Sequence, residues 1–227
     1  MEKEQTYLTV KTSGSNEIDI KKSRFIGSVK RVKTEAEAKE FVAQIIEENK
    51  SATHNCFAYM VGQDDHIQRK SDNGEPSGTA GLPILDAIKL KQLHDVAVVV
   101  TRYFGGIKLG AGGLIRAYSN ATTEAINKVG VVERILQTKI NIEIEYSLLE
   151  QLKYFLEQSD IYIDDIQYGA DVTVVVAVPA DQIEGFKKQV IELLNDRAKI
   201  STGDQEYFEV DYHQGKDRYK KGSIDLK

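Results

Sequence analysis

The sequence predicts an α+β protein of two domains, and three observations support this prediction. Residues 69–125 contain two glycine-rich turns, and each turn leads into a helix-like segment. Residues 136–210 form a separate series of strand-like and helix-like segments without a glycine-rich loop. The charge divides at the same place: residues 1–135 hold 19 basic and 17 acidic residues, whereas the remainder holds 11 and 18. A length of 227 residues suits one large or two ordinary domains.

The composition excludes several classes of protein. The chain is 41% hydrophobic and 29% charged, as is usual for globular proteins. Its apolar runs are far shorter than the ~20 residues that a membrane helix needs. Residues 1–5 have no apolar core of the kind found in a signal peptide. A single cysteine, Cys56, cannot form an internal disulfide. We therefore expect a cytoplasmic protein without a membrane segment.

The first part of the chain predicts short strands followed by a helix. Residues 6–11, 17–20 and 25–29 have strand-like patterns, and the basic run at 21–24 between them could be a solvated strand end or a phosphate contact. Thr34 and a glutamate three residues later have the spacing of a capping box. The helix that follows has one apolar face, which we assign to the core.

The segment 54–61 alternates like a strand and places His54 and Cys56 on the same face. A cysteine with a histidine can form a nucleophilic pair. Neighbours along a strand seldom point at each other, however, and a lone buried cysteine usually packs as a small apolar residue. We therefore expect Cys56 to pack in the core.

The first glycine-rich turn spans residues 71–81. Asp72 and Glu75 flank a glycine there, and such a pair could bind a metal or act as acid and base. The same residues also suit tight turns, and this structural role is favoured because no further carboxylate or histidine converges in the sequence. Thr79 is expected to cap the next helix, whose N-terminal N–H groups would form an anion site.

The second glycine-rich turn follows residues 96–100, a β-branched apolar run that predicts a central strand covered on both faces. The turn is not a Walker A loop, because no Gly-Lys-Ser/Thr ends it. It is not a full dinucleotide fingerprint either, because Ile115 stands where the third glycine belongs. Its glycines, with Lys108 and Arg116, predict backbone amides and two cations that face an anion.

Residues 136–210 predict the order β-α-β-β-α-β, which is the split-βαβ pattern of ferredoxin-like domains. Ser147 is expected to cap the first of the two helices. We interpret this domain as an interaction or spacer module. The remaining residues, 211–227, predict a flexible basic tail. Its residues of interest are His213, Lys216, Arg218, Lys220 and Lys221.

Four motifs closely resemble the IMPACT family in its bacterial YigZ/YvyE-type form. They are Lys-Ser-Arg-Phe-Ile at 22–26, Ala-Thr-His-Asn-Cys at 52–56, Ser-Asp-Asn-Gly-Glu-Pro-Ser-Gly-Thr-Ala-Gly at 71–81, and Thr-Arg-Tyr-Phe-Gly-Gly-Ile-Lys-Leu-Gly at 101–110. The resemblance implies that domain 1–135 has the fold of the second domain of ribosomal protein S5, similar to domain IV of elongation factor G. It implies that domain 136–210 is ferredoxin-like, similar to domain V of that factor.

The resemblance implies less about activity. Eukaryotic members of the family are tied to control of translation initiation, through a partner that activates an initiation-factor kinase. We expect this chain to lack the extra N-terminal domain by which those members bind their partner, so that role is not transferred. The family has no agreed catalytic residues to carry over.

The first functional hypothesis is a non-enzymatic RNA- or ribosome-binding factor that regulates translation. The side chains expected to contact phosphates are Arg24, Arg69, Lys70, Arg102, Lys108 and Arg116. The alternative is an enzyme or binding protein for a phosphorylated small molecule. Its expected pocket comprises His54, Asp72, Glu75, Ser77, Thr79, Gly106, Gly110 and Gly112. A third hypothesis is a protein-binding adaptor, whose acidic second domain would contact a basic protein partner. No catalytic residue, metal or cofactor is assigned.

Overall fold

The computed structural model describes residues 6–62, 64–159 and 161–212. These residues form two compact units, one that reaches Arg134 and includes Val210–Tyr212, and one from Ile135 to Glu209. Both units combine helices and strands, so the α+β class predicted from the sequence is confirmed. Within these residues no helix is long and apolar enough to cross a membrane.

The first unit is built on an antiparallel five-stranded sheet with the strand order β2-β3-β6-β4-β5. Its elements are β1 (Thr6–Val10), β2 (Gly14–Ile20), β3 (Ser23–Arg31), α1 (Glu35–Glu48), β4 (His54–Val61), β5 (Ile67–Ser71), α2 (Gly81–Leu90), β6 (Val96–Tyr103) and α3 (Ala111–Val129). The next strand, β7 (Val131–Ile144), begins in this unit and continues into the second.

Helices cover both faces of this sheet, and the central strand β6 shows why. Val96, Val98 and Val100 face the core shared with α2 and α3, whereas Ala97 and Val99 face the core shared with α1. All five side chains are fully buried. A strand with two buried faces has no polar position in its pattern, so the prediction of a doubly covered strand at 96–100 is confirmed.

The N-terminus of α2 differs from the prediction that Thr79 caps it. The Thr79 hydroxyl instead donates to the carbonyl of Pro76, at 2.6 Å. The helix N–H groups of Ala80 and Gly81 donate to Oδ1 of Asp72, at 2.9 and 2.8 Å. The prediction was wrong because the acceptor comes from eight residues upstream, brought back by the loop, and not from the residue beside the helix.

The second unit contains the remaining elements in the order β-α-β-β-α-β. They are β7, α4 (Leu149–Gln158), β8 (Ile163–Tyr168), β9 (Val172–Pro179), α5 (Ile183–Leu193) and β10 (Lys199–Asp211). Strands β7, β9 and β8 are neighbours in that order, and β10 pairs with β7. Fourteen buried apolar residues from these elements and their ends form one core.

Two predictions for the second part of the chain need correction. Ser147 does not cap α4, because it lies inside a short 3₁₀ turn, Tyr146–Leu148, that precedes the helix. Asp211, predicted to begin the tail, is the last residue of β10. The tail residues from His213 onward lie outside the described residues.

Candidate functional site

The two glycine-rich loops lie at the same end of the first unit's sheet. We call residues 72–80, before α2, the closed loop, and residues 104–110, before α3, the open loop. His54 at the start of β4 pairs with Arg102 near the end of β6, so β4 begins and β6 ends at this edge of the sheet. The His54 ring is also within 2.9 Å of the carbonyl of Asn73 in the closed loop. The fold thus brings together residues that lie about 50 positions apart in the chain.

Asp72 organises the closed loop. Besides the two N–H groups at the start of α2, it accepts a hydrogen bond from the N–H of Gly78, at 2.8 Å. Burial opposes ionisation of this carboxylate, but the backbone N–H groups outweigh it and hold the pKa of Asp72 below its usual value. Both oxygens are occupied by the loop's own backbone, so Asp72 stabilises the turn instead of facing a ligand.

Glu75 points into the protein from the closed loop, with a side chain only 3% exposed. Its Oε1 accepts hydrogen bonds from Nη1 of Arg102, at 2.6 Å, and from the hydroxyl of Tyr118, at 2.8 Å. The second guanidinium nitrogen, Nη2, lies 3.4 Å from Oγ of Ser23. The Arg102 side chain is itself only 6% exposed. Its charge is compensated inside the protein, which corrects the expectation that Arg102 contacts phosphates.

His54 borders this buried ion pair. Its Nδ1 donates to the carbonyl of Asn73, which leaves Nε2 facing Oε2 of Glu75 at 3.9 Å. The His54 side chain is 20% exposed, so it lies at the boundary between the buried pair and solvent. His54 and Glu75 of the expected small-molecule pocket therefore form one cluster with Arg102, but the carboxylate in it is already paired.

Cys56 lies on the inner side of the same cluster. Its thiol donates to the carbonyl of Asp72, at 2.9 Å, and lies 3.4 Å from the hydroxyl of Tyr118. Burial raises the pKa of Cys56 to about 12, and burial likewise raises the pKa of Tyr118. At neutral pH the thiol is not ionised, and a protonated thiol is a poor nucleophile. This environment fits the packing role expected for Cys56.

The beginning of the open loop is held by two hydrogen bonds. The N–H of Phe104 donates to Oγ1 of Thr53 at 3.0 Å, and the N–H of Gly105 donates to Oγ of Ser23 at 3.2 Å. Gly105 packs directly on the turn between β2 and β3, where an added Cβ would lie 1.8 Å from the carbonyl oxygen of Lys22. The loop ends at Gly110, whose φ is +70° and which provides no side-chain cap for α3.

Cations surround the open loop. Lys21, Lys22, Lys108 and Arg116 are exposed, and none of them has an ion pair in the described part of the chain. Beside the loop lies a cleft of about 290 Å³. Its lining consists of Ile20, Lys21, Leu109, Gly113, Arg116, Ala117 and Asn120. The sequence predicted glycines with Lys108 and Arg116 around this turn. An exposed groove lies beside them.

Two other predicted phosphate contacts, Arg24 and Arg69, lie beside acidic side chains of the first unit. Arg24 pairs with Glu17 at 3.8 Å and stacks on the ring of Tyr103. Arg69 lies beside α1, where its Nε is 3.4 Å from Glu35.

The remaining predicted residues divide between exposed and buried positions. Lys70, Ser77, Gly106, Gly110 and Gly112 are exposed, whereas Thr79 is buried. Among the described residues, no three His, Cys, Asp or Glu side chains are grouped closely enough to hold a metal ion.

Sequence reasoning missed Tyr118, Ser23 and Thr53 as parts of this site. Tyr118 lies on the buried face of α3, one turn after Leu114, and a buried tyrosine hydroxyl needs a partner. That rule predicts a polar group near the Tyr118 hydroxyl, but it does not identify that group as Glu75. The hydroxyls of Ser23 and Thr53 hold the open loop only because β3 and β4 flank β6 in the sheet.

The fold and site define a two-unit α+β protein whose first unit presents two glycine-rich loops at one sheet edge. The Impact N-terminal domain matches residues 21–126, and a domain of unknown function, DUF1949, matches residues 142–197. IMPACT family member YvyE of Bacillus subtilis is 45% identical over 204 residues, 90% of this chain and 94% of the relative. IMPACT family member YigZ of Escherichia coli is 35% identical over 176 residues, 77% of this chain and 86% of the relative.

A crystal structure of a hypothetical protein matches with a TM-score of 0.56 and 31% identity, over 86% of this chain and 96% of that one. On these relatives, the chain belongs to the IMPACT family, and the resemblance stated from the four sequence motifs is confirmed.

Proposed function

We propose that this protein is a non-enzymatic RNA- or ribosome-binding factor with a role in regulating translation, and that it binds through the open loop. The observation that supports this most is the set of exposed, unpaired cations at the loop: Lys21, Lys22, Lys108 and Arg116. Cations without acidic partners are free to neutralise phosphates. The carboxylates of the neighbouring closed loop do not compete, because Asp72 and Glu75 are bonded internally.

We also propose the finer fold assignment: an S5 domain 2-like first unit and a ferredoxin-like second unit, as in domains IV and V of elongation factor G. The strand order β10-β7-β9-β8 and the β-α-β-β-α-β sequence of elements support the second part. Family membership adds support for translation, because the resemblance connects eukaryotic members with its control. We place the boundary between the domains at residues 135 and 136 and the protein in the cytoplasm.

The test is co-sedimentation of the purified protein with ribosomes and separate subunits over a salt series. The test variant combines Lys21→Gln, Lys108→Gln and Arg116→Gln. We expect it to bind more weakly and with a shallower salt dependence, by about 0.7 to 1 in slope for each phosphate that is no longer neutralised. The control combines Lys33→Gln, Lys89→Gln and Lys128→Gln, which are exposed, have no ion pair in the described chain and remove the same charge.

If the control weakens binding as much as the test variant, net charge matters and the open loop is not the contact. If the wild-type protein does not bind at low salt, the proposal fails.

The second candidate, a binding protein for a phosphorylated small molecule, is favoured by the cleft that Lys21, Arg116 and Asn120 line. Its volume of about 290 Å³ is near the lower limit of ligand pockets. A thermal-shift screen of nucleotides and sugar phosphates tests it. A ligand at 100 times its dissociation constant adds about 2.7 kcal/mol to the free energy of unfolding. If none of these compounds raises the melting temperature, the second candidate is excluded and only the first remains.

A further inference from the structure

We propose that the open loop and the adjoining cleft form a binding track for single-stranded nucleic acid, in which one base stacks on Phe104 and the adjoining nucleotide enters the cleft. This inference rests on the proposed function and deepens it, because it names the form of nucleic acid and the side chain that recognises it.

Phe104 is the first observation. The residue is 46% exposed, although an aromatic ring is among the groups that gain most from burial. It is nevertheless held in place: its own N–H bonds to Thr53, and the next residue, Gly105, is bonded to Ser23. The Arg102 guanidinium lies 5.4 Å from the ring centroid, which fixes the ring further. A rigid, exposed aromatic ring is the side chain on which single-stranded bases stack.

The cleft is the second observation. It contains two cations, Lys21 and Arg116, and the polar side chain of Asn120, beside the apolar side chains of Ile20 and Leu109. The cations suit a phosphate, the amide suits a base or sugar edge, and the apolar wall suits the face of a base or sugar. At about 290 Å³ the cleft has room for a group the size of one nucleotide and not for a duplex.

The track is continuous between these two points. Gly105, which follows Phe104, lies against the carbonyl of Lys22, and Lys21 beside it lines the cleft. Both lysines are exposed in a tight turn with φ of +47° and +66°. A chain of nucleotides that leaves the Phe104 ring therefore meets two lysines before it reaches Arg116.

The track favours single strands over a duplex, because a base must leave its stack to reach the Phe104 ring, and leaving the stack of a duplex costs free energy. Phosphate contacts alone bind duplex and single strand alike and position the ligand without reading it. Stacking on an aromatic side chain requires an unpaired base, as in RNA loops, bulges and ends. Ile107, 40% exposed in the same loop, adds apolar surface that a duplex backbone would not use.

The test is fluorescence anisotropy with a labelled uridine octamer, the matching deoxyuridine octamer and a blunt RNA duplex, all at low salt. We expect Phe104→Leu to weaken binding of the single strands about tenfold, the usual effect of losing one stacked base, and to change duplex binding less than about twofold. Phe104→Tyr keeps the ring and should bind like the wild type. The matched control is Tyr154→Leu, which removes another exposed aromatic ring, 67% exposed, in the second unit.

The outcomes separate this inference from the proposed function. If Phe104→Leu binds the octamers as the wild type does while the Lys21/Lys108/Arg116 variant loses binding, stacking is excluded and the proposed function stands. If the wild type binds no oligonucleotide but Phe104→Leu reduces co-sedimentation with ribosomes, the loop contacts a protein, and the inference is overturned.

Circular dichroism melts of each variant show whether a loss of binding reflects unfolding. If Phe104→Leu does not fold, the wild type alone still tests the inference, because equal affinity for the octamers and the duplex would overturn it. Tighter binding of the RNA octamer than of the DNA octamer would support the track and identify RNA as its ligand.

Discussion

The closed loop and the open loop are both rich in glycine and both lead into a helix, yet they are built for different roles. The closed loop contains two carboxylates, and these bind its own backbone and a buried arginine. The open loop, Phe-Gly-Gly-Ile-Lys-Leu-Gly, contains no side chain that can accept a hydrogen bond. Its N–H groups beyond Gly105 have no acceptor within the loop's own side chains. Acceptor side chains inside a glycine-rich loop, and not the glycines, therefore decide whether the loop closes on itself or stays available to a ligand.

The largest effect is expected from Glu75→Gln in the closed loop. The change leaves the Arg102 charge buried without its counter-charge, so we expect a loss of about 3 to 5 kcal/mol in the free energy of unfolding. Urea denaturation followed by circular dichroism measures it. The control is Glu17→Gln, whose pair with Arg24 is about half exposed and should contribute less than about 1 kcal/mol. Equal effects of the two changes would show that the closed loop is not locked from inside.

Asp72→Asn should have the next largest effect, about 2 to 3 kcal/mol, because the backbone N–H groups lose a charged acceptor. The pKa of Asp72 is lowered in the folded state. Its stabilisation is therefore complete above the usual carboxylate pKa of about 4 and is lost as pH falls through the lower folded value. Urea titrations at pH 7 and at pH 3 should show a smaller difference between variant and wild type at the lower pH. A difference independent of pH would contradict a role for the charge.

Gly105→Ala examines the tightly packed beginning of the open loop. The added Cβ would lie 1.8 Å from the carbonyl oxygen of Lys22, which is backbone and cannot move away cheaply. Overpacking of this kind costs typically about 1 to 3 kcal/mol. Thermal unfolding should show the loss, and ribosome or RNA binding should weaken with it, because the same contact holds the Phe104 ring. A neutral substitution would contradict tight packing at this contact.

Local pattern was enough for most of the fold but not for the partners in the site. The Thr34 cap of α1 and the doubly buried strand at 96–100 are encoded by near neighbours, and both occur as predicted. The capping box is only half formed, because Oε2 of Glu37 accepts from the N–H of Lys33, one residue before the cap. The α2 cap was misassigned because its acceptor, Asp72, reaches the helix only after the loop has folded. The Glu75–Arg102 pair joins residues 27 positions apart, and no spacing rule connects them. Two residues signalled a buried partner, the charged Arg102 in a central apolar strand and Tyr118 on the buried face of α3, but neither identified Glu75.

Gly112→Ala should have the smallest effect and the opposite sign. Gly112 lies in the first turn of α3, and an added Cβ would meet no atom within 4 Å. Alanine restricts the unfolded chain and favours the helix, so we expect a gain of up to about 1 kcal/mol in the free energy of unfolding. Gly105→Ala adds the same methyl group seven residues earlier, and chemical denaturation of both variants compares them directly. If Gly112→Ala also weakens RNA binding although it stabilises the fold, the glycine is there for close approach of a ligand to the backbone. If binding is unchanged, the first turn of α3 lies outside the contact, and the track is confined to the Phe104 ring, the lysine turn and the cleft.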